Sequence, residues 1–204
     1  MSRQILAAFD ATGVIVYQAF QPDTVREAVR LQAFGKGFGL DRMTWIKPSF
    51  GWMLYRCGYA SKPRQQRVAQ VTIRHEGFLA MLAEAVPTSY ERDLFASRSD
   101  WSIALRRGQA RYQWDPDRDL ALRPLDRRAL QLGIEGDLIR RYAREWIVRI
   151  VDVTDLAHQI RDAVAAGQPL PAVPVEQVYP LPADLARRLH VTGESTVAVA
   201  VAPA

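Results

Sequence analysis

The stretch from Arg42 to Lys62, RMTWIKPSFGWMLYRCGYASK, interleaves basic with aromatic residues. Flat rings stack on a base while cationic side chains form charge-assisted hydrogen bonds to phosphate, so the two residue types together suit a nucleotide. Arg42, Lys47 and Arg56 are the candidate phosphate ligands, Trp45 the stacking ring with Tyr17 as its alternative, and Tyr55 a further ring in the same stretch. Thr44 and Ser49 offer hydroxyls able to orient a ribose. Ser49 follows Pro48 at a strand-to-helix junction, where unpaired helix N–H groups attract anions; it fits equally as an N-cap with no further role. Phe50, Met53 and Leu54 come next at helical spacing and read as core.

Charge sharpens the focus on this region. Residues 36–74 hold eight basic residues against Asp41 alone, a net +7 where the whole chain is +5. Only three of the 27 basic residues are lysines (Lys36, Lys47, Lys62), so arginine abundance is general and position carries the argument. A segment so unbalanced predicts salt-sensitive attraction for phosphates, although by itself it also describes a solvated basic face.

Positioning these side chains falls to a run of short elements. Val14 to Phe20 (VIVYQAF) predicts a strand with Val14, Val16, Gln18 and Phe20 on one face, Gln18 being the polar exception. Pro22 is expected to break it, and Thr24 with Glu27 forms a capping-box signature for a helix ending before Gly35. Glycines 35, 37 and 39 predict a mobile loop, residues 42–47 a short strand, and residues 50–59 an aromatic helix that Gly58 ends or weakens. A strand at 68–73, a helix at 76–86 and a polar helical turn capped by Ser99 follow. In the second half, strands are expected at 110–114, 129–134 and 147–151, with a turn at Asp115, Pro116 and Asp117. Helices are expected at 137–146 and from Thr154 to Gly167. The five prolines from 169 to 182 describe an extended connector packed on the body, before a helix at 182–189 and a strand at 196–202. The sum is α+β: a single domain over 1–204 with a mixed, mostly antiparallel sheet of short strands flanked by helices, its last part (183–204) a C-terminal helix and strand.

Composition excludes several classes. With 204 residues, 49% apolar and 24% charged, the chain can bury a core and is not disordered, and the single cysteine, Cys57, rules out a disulfide scaffold. No apolar run approaches the roughly 20 residues of a membrane helix, so a cytoplasmic protein without a membrane partner is expected. His75, His158 and His190 lack metal-ligand spacing, and no metal is expected. GKGFG at 35–39 lacks the GK[ST] ending of a phosphate loop and reads as a flexible lid. Asp115, Asp117 and Asp119 (DPDRD) could pair as carboxylates for acid–base or magnesium chemistry, but more simply form a turn with local ion pairs.

RMTWIKPSF followed by WMLYR, with VYQAF upstream and QWDP, LQLG and EWIVRIVDVT downstream, resembles the family catalogued as domain of unknown function 4291, over about residues 3–182. That resemblance brings no activity with it. The order of elements up to the 68–73 strand is also similar to the first half of the NAD-dependent ADP-ribosyltransferase fold. There the first strand offers Arg or His to the dinucleotide, the second leads into a Ser/Thr motif supporting the nicotinamide ribose, and a later strand presents Glu. The resemblance implies NAD as cofactor and a catalytic set of Gln18, Ser49 (or Thr44) and Gln131 (or Glu135), with Gln18 and Gln131 at the nicotinamide end. Two of these positions depart from that pattern: Gln18 carries no charge for phosphate, and Gln131 none to stabilise an oxocarbenium ion. The expectation is a nucleotide- or NAD-binding protein, an ADP-ribosyltransferase-like transferase with an open acceptor. The alternative is a non-catalytic module for single-stranded nucleic acid using the same surface. A third reading makes the aromatic helix a dimer contact.

Overall fold

Apolar and β-branched residues alternate along two runs, and in the computed structural model, which describes residues 1–192, these runs pair at the centre of a divider between two cores. The elements in chain order are β1 (Ser2–Arg3), β2 (Leu6–Ala7), β3 (Val14–Phe20), α1 (Pro22–Leu31), β4 (Thr44–Ile46), α2 (Phe50–Cys57), β5 (Arg67–Ile73), α3 (His75–Glu84) and β6 (Ala85–Pro87). They continue with α4 (Arg98–Arg107), β7 (Ala110–Arg118), β8 (Pro124–Ile134), α5 (Gly136–Arg141) running on into a π-helical turn at Tyr142–Trp146, β9 (Ile147–Asp152), α6 (Thr154–Ala166), β10 (Gln177–Val178) and α7 (Ala183–Arg188). The 196–202 strand expectation lies outside the described residues. No helix among the described residues is long and apolar enough to cross a membrane.

The divider is the antiparallel sheet β3–β5–β9, with Val14 opposite Ile73 and Phe20 opposite Arg67. Strand periodicity sends Val14 and Val16 into the larger core with Val71 and Ile73, and Tyr17 into the smaller one with Val68 and the apolar faces of α2 and α6. The larger core also packs on the main sheet, in the order β1–β8–β7–β6 with β4 added on β8, while β10 and β2 form a separate pair. The fold is α+β with mostly antiparallel pairing, but the strands form three sheets instead of one. β4, three residues long, is antiparallel to β8 and reaches the divider just beyond its end, through Lys47.

Several local expectations change for physical reasons. The strand ends at Phe20 ahead of Pro22 as expected, and Pro22 itself opens α1, because its fixed φ suits the first helical position and its missing N–H would be unpaired there. Thr24 therefore sits inside the first turn, buried, and Gln21 stands at the N-cap without a side-chain bond. α3 stops at Glu84, and residues 85–87 become β6, parallel to β7. Ser97, not Ser99, caps α4 by accepting from the Asp100 N–H. β7 runs on through Asp115–Asp117 to Arg118, where the register shifts, so the turn expected there falls instead at 119–123. In the connector, Tyr179 and Leu181 are buried, and β10 pairs with β2.

The turn begins only at Asp119, ion-paired locally to Arg123, because Asp115 and Asp117 have partners across the fold. The Asp117 side chain, 1% exposed, accepts from Ser49 Oγ at 2.9 Å, from the Arg118 N–H at 2.8 Å and from Arg127 Nε at 2.7 Å. Ser49 Oγ in turn caps α2 through the Trp52 N–H, and Glu176 of the connector accepts from the Phe50 N–H at 2.6 Å. One buried carboxylate thus ties α2 to β7 and β8. Replacing it leaves Arg127 and the cap without their acceptor, so Asp117→Ala is expected to destabilise the protein by about 3 kcal/mol or more, and Ser49→Ala by only about 1 kcal/mol, as read by urea denaturation.

Candidate functional site

β4 places its neighbours by joining both large sheets. Trp45 lies opposite Gly133 of β8, and one residue past the strand end Lys47 exchanges two backbone bonds with Tyr17 of β3, at 2.7 and 3.2 Å. Gly133 is required there, since a Cβ would stand 2.9 Å from the Trp45 ring. Beside this junction opens a cavity of about 490 Å³, between the end of β3, the first turn of α1, β4, the last turn of α2 and the loop at 63–65. Its volume lies within the range of small-ligand sites.

Four cations line it: Arg42 before β4, Lys47 after it, Arg56 on α2 and Arg64 on the loop. No carboxylate is among its described lining residues, and none of the four forms an ion pair within 4.0 Å with a described residue. Asp41, next to Arg42, pairs with Arg140 on the exposed surface instead. The loop carrying Arg64 is held in a costly conformation: Tyr59, Ala60 and Arg64 all have positive φ, which for residues with a Cβ costs roughly 1–2 kcal/mol each. Tyr59 OH donating to the Leu120 carbonyl at 2.7 Å, and the Ala60 N–H donating to Cys57 Sγ at 3.3 Å, hold it in place.

Lys47 is 5% exposed, and among the described residues its Nζ reaches only the Trp45 carbonyl, at 3.4 Å. Burial, reinforced by the Arg56 charge and opposed by Asp115, brings its pKa down to about 8. Asp115 is itself buried, which pushes its carboxyl up, and its two oxygens accept from Gln113 Nε2 at 2.7 Å and Gln131 Nε2 at 2.6 Å. Gln18 braces the opposite wall. Its Oε1 accepts from the Tyr142 hydroxyl and its Nε2 donates to Thr44 Oγ1, both at 2.7 Å. Tyr142 packs against Phe34, which stacks on Phe38 at 4.1 Å. Both phenylalanines are buried, so the glycine loop expected as a free lid is pinned at either side. Gly37, at φ +89°, lines the cavity so close to Thr24 that a Cβ would lie 2.6 Å from Oγ1.

Of the ten expected site residues, six line this cavity: Gln18, Arg42, Thr44, Trp45, Lys47 and Arg56. Four lie elsewhere. Tyr17 is fully buried and stacks on Phe50 at 4.6 Å in the smaller core. Ser49 is the cap held by Asp117, and Gln131 holds Asp115. Tyr55 is on the outer side of α2, stacked on Trp52, with the Arg118 guanidinium 4.2 Å from its ring. Sequence reasoning missed Thr24, Arg64 and Gln65 in the lining, although Arg64 belonged to the +7 stretch. It also missed Glu91, Asp93 and His190, whose ligand-type atoms lie within 4.8 Å of one another. Arg3 Nη1 lies 3.2 Å from His190 Nδ1, and Asp93 lies 2.9 Å from His190 Nε2, which forms no hydrogen bond among the described residues.

The profile of the family described as Domain of unknown function (DUF4291) matches residues 4–179. The chain belongs to this family. The match spans all the residues that line the cavity of this DUF4291 protein. No curated protein matches the chain.

A buried lysine without a carboxylate partner leaves a mark on stability. Between pH 8 and the ordinary lysine pKa of 10.5, unfolded chains hold a proton on Lys47 that the folded protein has released, so stability rises with pH in that window. Lys47→Met is expected to be more stable than the wild type near pH 7, with the difference closing between pH 8 and 10.5. Urea denaturation of both proteins across pH 7–10.5 reads the difference directly.

Proposed function

We propose that this DUF4291 protein binds a nucleotide-type phosphate ligand in the cavity beside β4. The observation that carries the reading is the set of four cations, Arg42, Lys47, Arg56 and Arg64, lining one hollow with no carboxylate among the described lining residues. Like charges brought together in a partly desolvated site repel, and an anion removes that cost. Arg42, Arg56 and Arg64 suit bidentate contact with phosphate oxygens, and Lys47 acts as a point charge at the back of the site. The half-buried Trp45 offers the ring for a base, while Thr44 and Gln65 offer groups for a ribose.

NAD is the dinucleotide this reading favours on the order of elements, which resembles the ADP-ribosyltransferase fold. The transfer reaction receives less support. It calls for a carboxylate near the glycosidic carbon, and Gln131, expected in that place, is engaged with Asp115 and does not line the cavity. Gln18 does line it, but its amide is committed to Tyr142 and Thr44, which suits a brace for the wall. The proposal is therefore ligand binding, with any chemistry supplied by groups a substrate brings.

Calorimetric titration of ADP, ATP and NAD tests it. At least one should bind, and Arg56→Ala and Lys47→Ala should each weaken binding by roughly ten- to a hundredfold, the usual worth of a charge-assisted bond. Ser49→Ala should leave affinity unchanged, since Ser49 is bonded to Asp117 away from the cavity. Failure of all three nucleotides to bind at millimolar concentration would sink the reading. Binding of a single-stranded oligonucleotide in their place would favour the nucleic-acid module.

A further inference from the structure

We infer that the cavity takes a di- or triphosphate chain as the free anion, not as its magnesium complex. This rests on the nucleotide reading and adds the charge state of the ligand. The argument starts from the lining. Arg42, Lys47, Arg56 and Arg64 present four positive charges to one space of about 490 Å³. A phosphate monoester carries about −1.5 to −2 near neutral pH, so a single phosphate leaves roughly half of that charge unmatched, and two or three phosphates balance it.

Magnesium would work against the site. It binds through carboxylates and phosphate oxygens and keeps several waters. The described lining supplies no carboxylate, and Asp115, the acid that acts on Lys47, has both oxygens taken by glutamine amides. A divalent ion on the phosphates would cancel two of the charges the cations need, and would bring a further positive charge toward Arg and Lys. The same chemistry could come from a nucleotide or from an inorganic polyphosphate; the half-buried Trp45 in the lining favours the nucleotide.

The test titrates ATP, ADP, AMP and inorganic pyrophosphate into the full chain, first with EDTA and then with excess Mg²⁺. In EDTA, ATP and ADP should bind at least about tenfold more tightly than AMP, and Mg²⁺ should weaken ATP by about tenfold or more. Arg64→Ala should weaken ATP and narrow its advantage over AMP. The inference is overturned if Mg²⁺ leaves ATP affinity unchanged or tightens it, or if AMP matches ADP; either result leaves nucleotide binding itself standing. Pyrophosphate matching ADP keeps the free-anion inference and overturns the nucleoside part of the proposed function. If nothing binds under either condition, both fall.

Discussion

Two backbone hydrogen bonds between Tyr17 and Lys47 fix the relation of the divider sheet to the main sheet at the cavity. They form because β4, already antiparallel to β8, continues one residue past its own end before Pro48 turns the chain into α2. The hollow lies beside this junction, lined by the end of β3, the first turn of α1, β4, the last turn of α2 and the 63–65 loop. The same junction carries Lys47 to the rear wall while burying Tyr17 on the other side of β3. Neighbouring positions on paired strands are thereby given opposite fates, one ring to the core and one amine to the site.

That geometry is stiffened from two directions. On one side Gln18 links Tyr142, in the π-helical turn, to Thr44 on β4, and Tyr142 packs under Phe34 and Phe38. A π-helical turn presents its side chains at a spacing that an α-helix cannot, and here it seats a buried hydroxyl on a buried amide. On the other side Asp117 gathers Ser49, Arg127 and the Arg118 backbone, which ties the start of α2 to β7 and β8. The strained segment after α2 then brings Arg64 to the cavity. Conformational cost and like charges are thereby brought together beside one cavity.

Most of the strands and helices were legible in the sequence, because strong periodicity and caps mark them locally: Val14–Phe20, the Ser49 cap with Gly58 behind it, and Thr154 to Gly167 all follow from residue type. The basic and aromatic region around β4 was legible for the same reason, since Arg42, Trp45, Lys47 and Arg56 are close in the chain. What composition could not reveal is which way a side chain faces when both faces of its strand are buried. Tyr17 and Gln18 adjoin in sequence, and only the presence of two cores decides that the ring is lost to packing while the amide stays on the cavity wall. The turn falls later than DPDRD suggests because Asp115 and Asp117 take partners from elsewhere in the chain, Gln131, Ser49 and Arg127, while Asp119 keeps a local ion pair with Arg123 in the turn itself. Turn propensity is a local quantity, and here long-range hydrogen bonding overrode it.

Gln131 then gains a different meaning from the one its place in the chain suggested. Asp115 is a buried carboxylate close enough to favour the charge on Lys47, and left unsatisfied it would be drawn into an ion pair with that amine. Such a pair would neutralise the rear of the cavity from within. Gln113 and Gln131 donate to the two carboxylate oxygens, so the buried Asp115 has hydrogen-bond partners that bring no charge, and Lys47 forms no ion pair with a described residue. An amide does this where an acid or a base could not, because it donates a hydrogen bond without adding charge. The two glutamines, with no place in the lining, therefore satisfy a buried acid behind the cavity without adding charge to it.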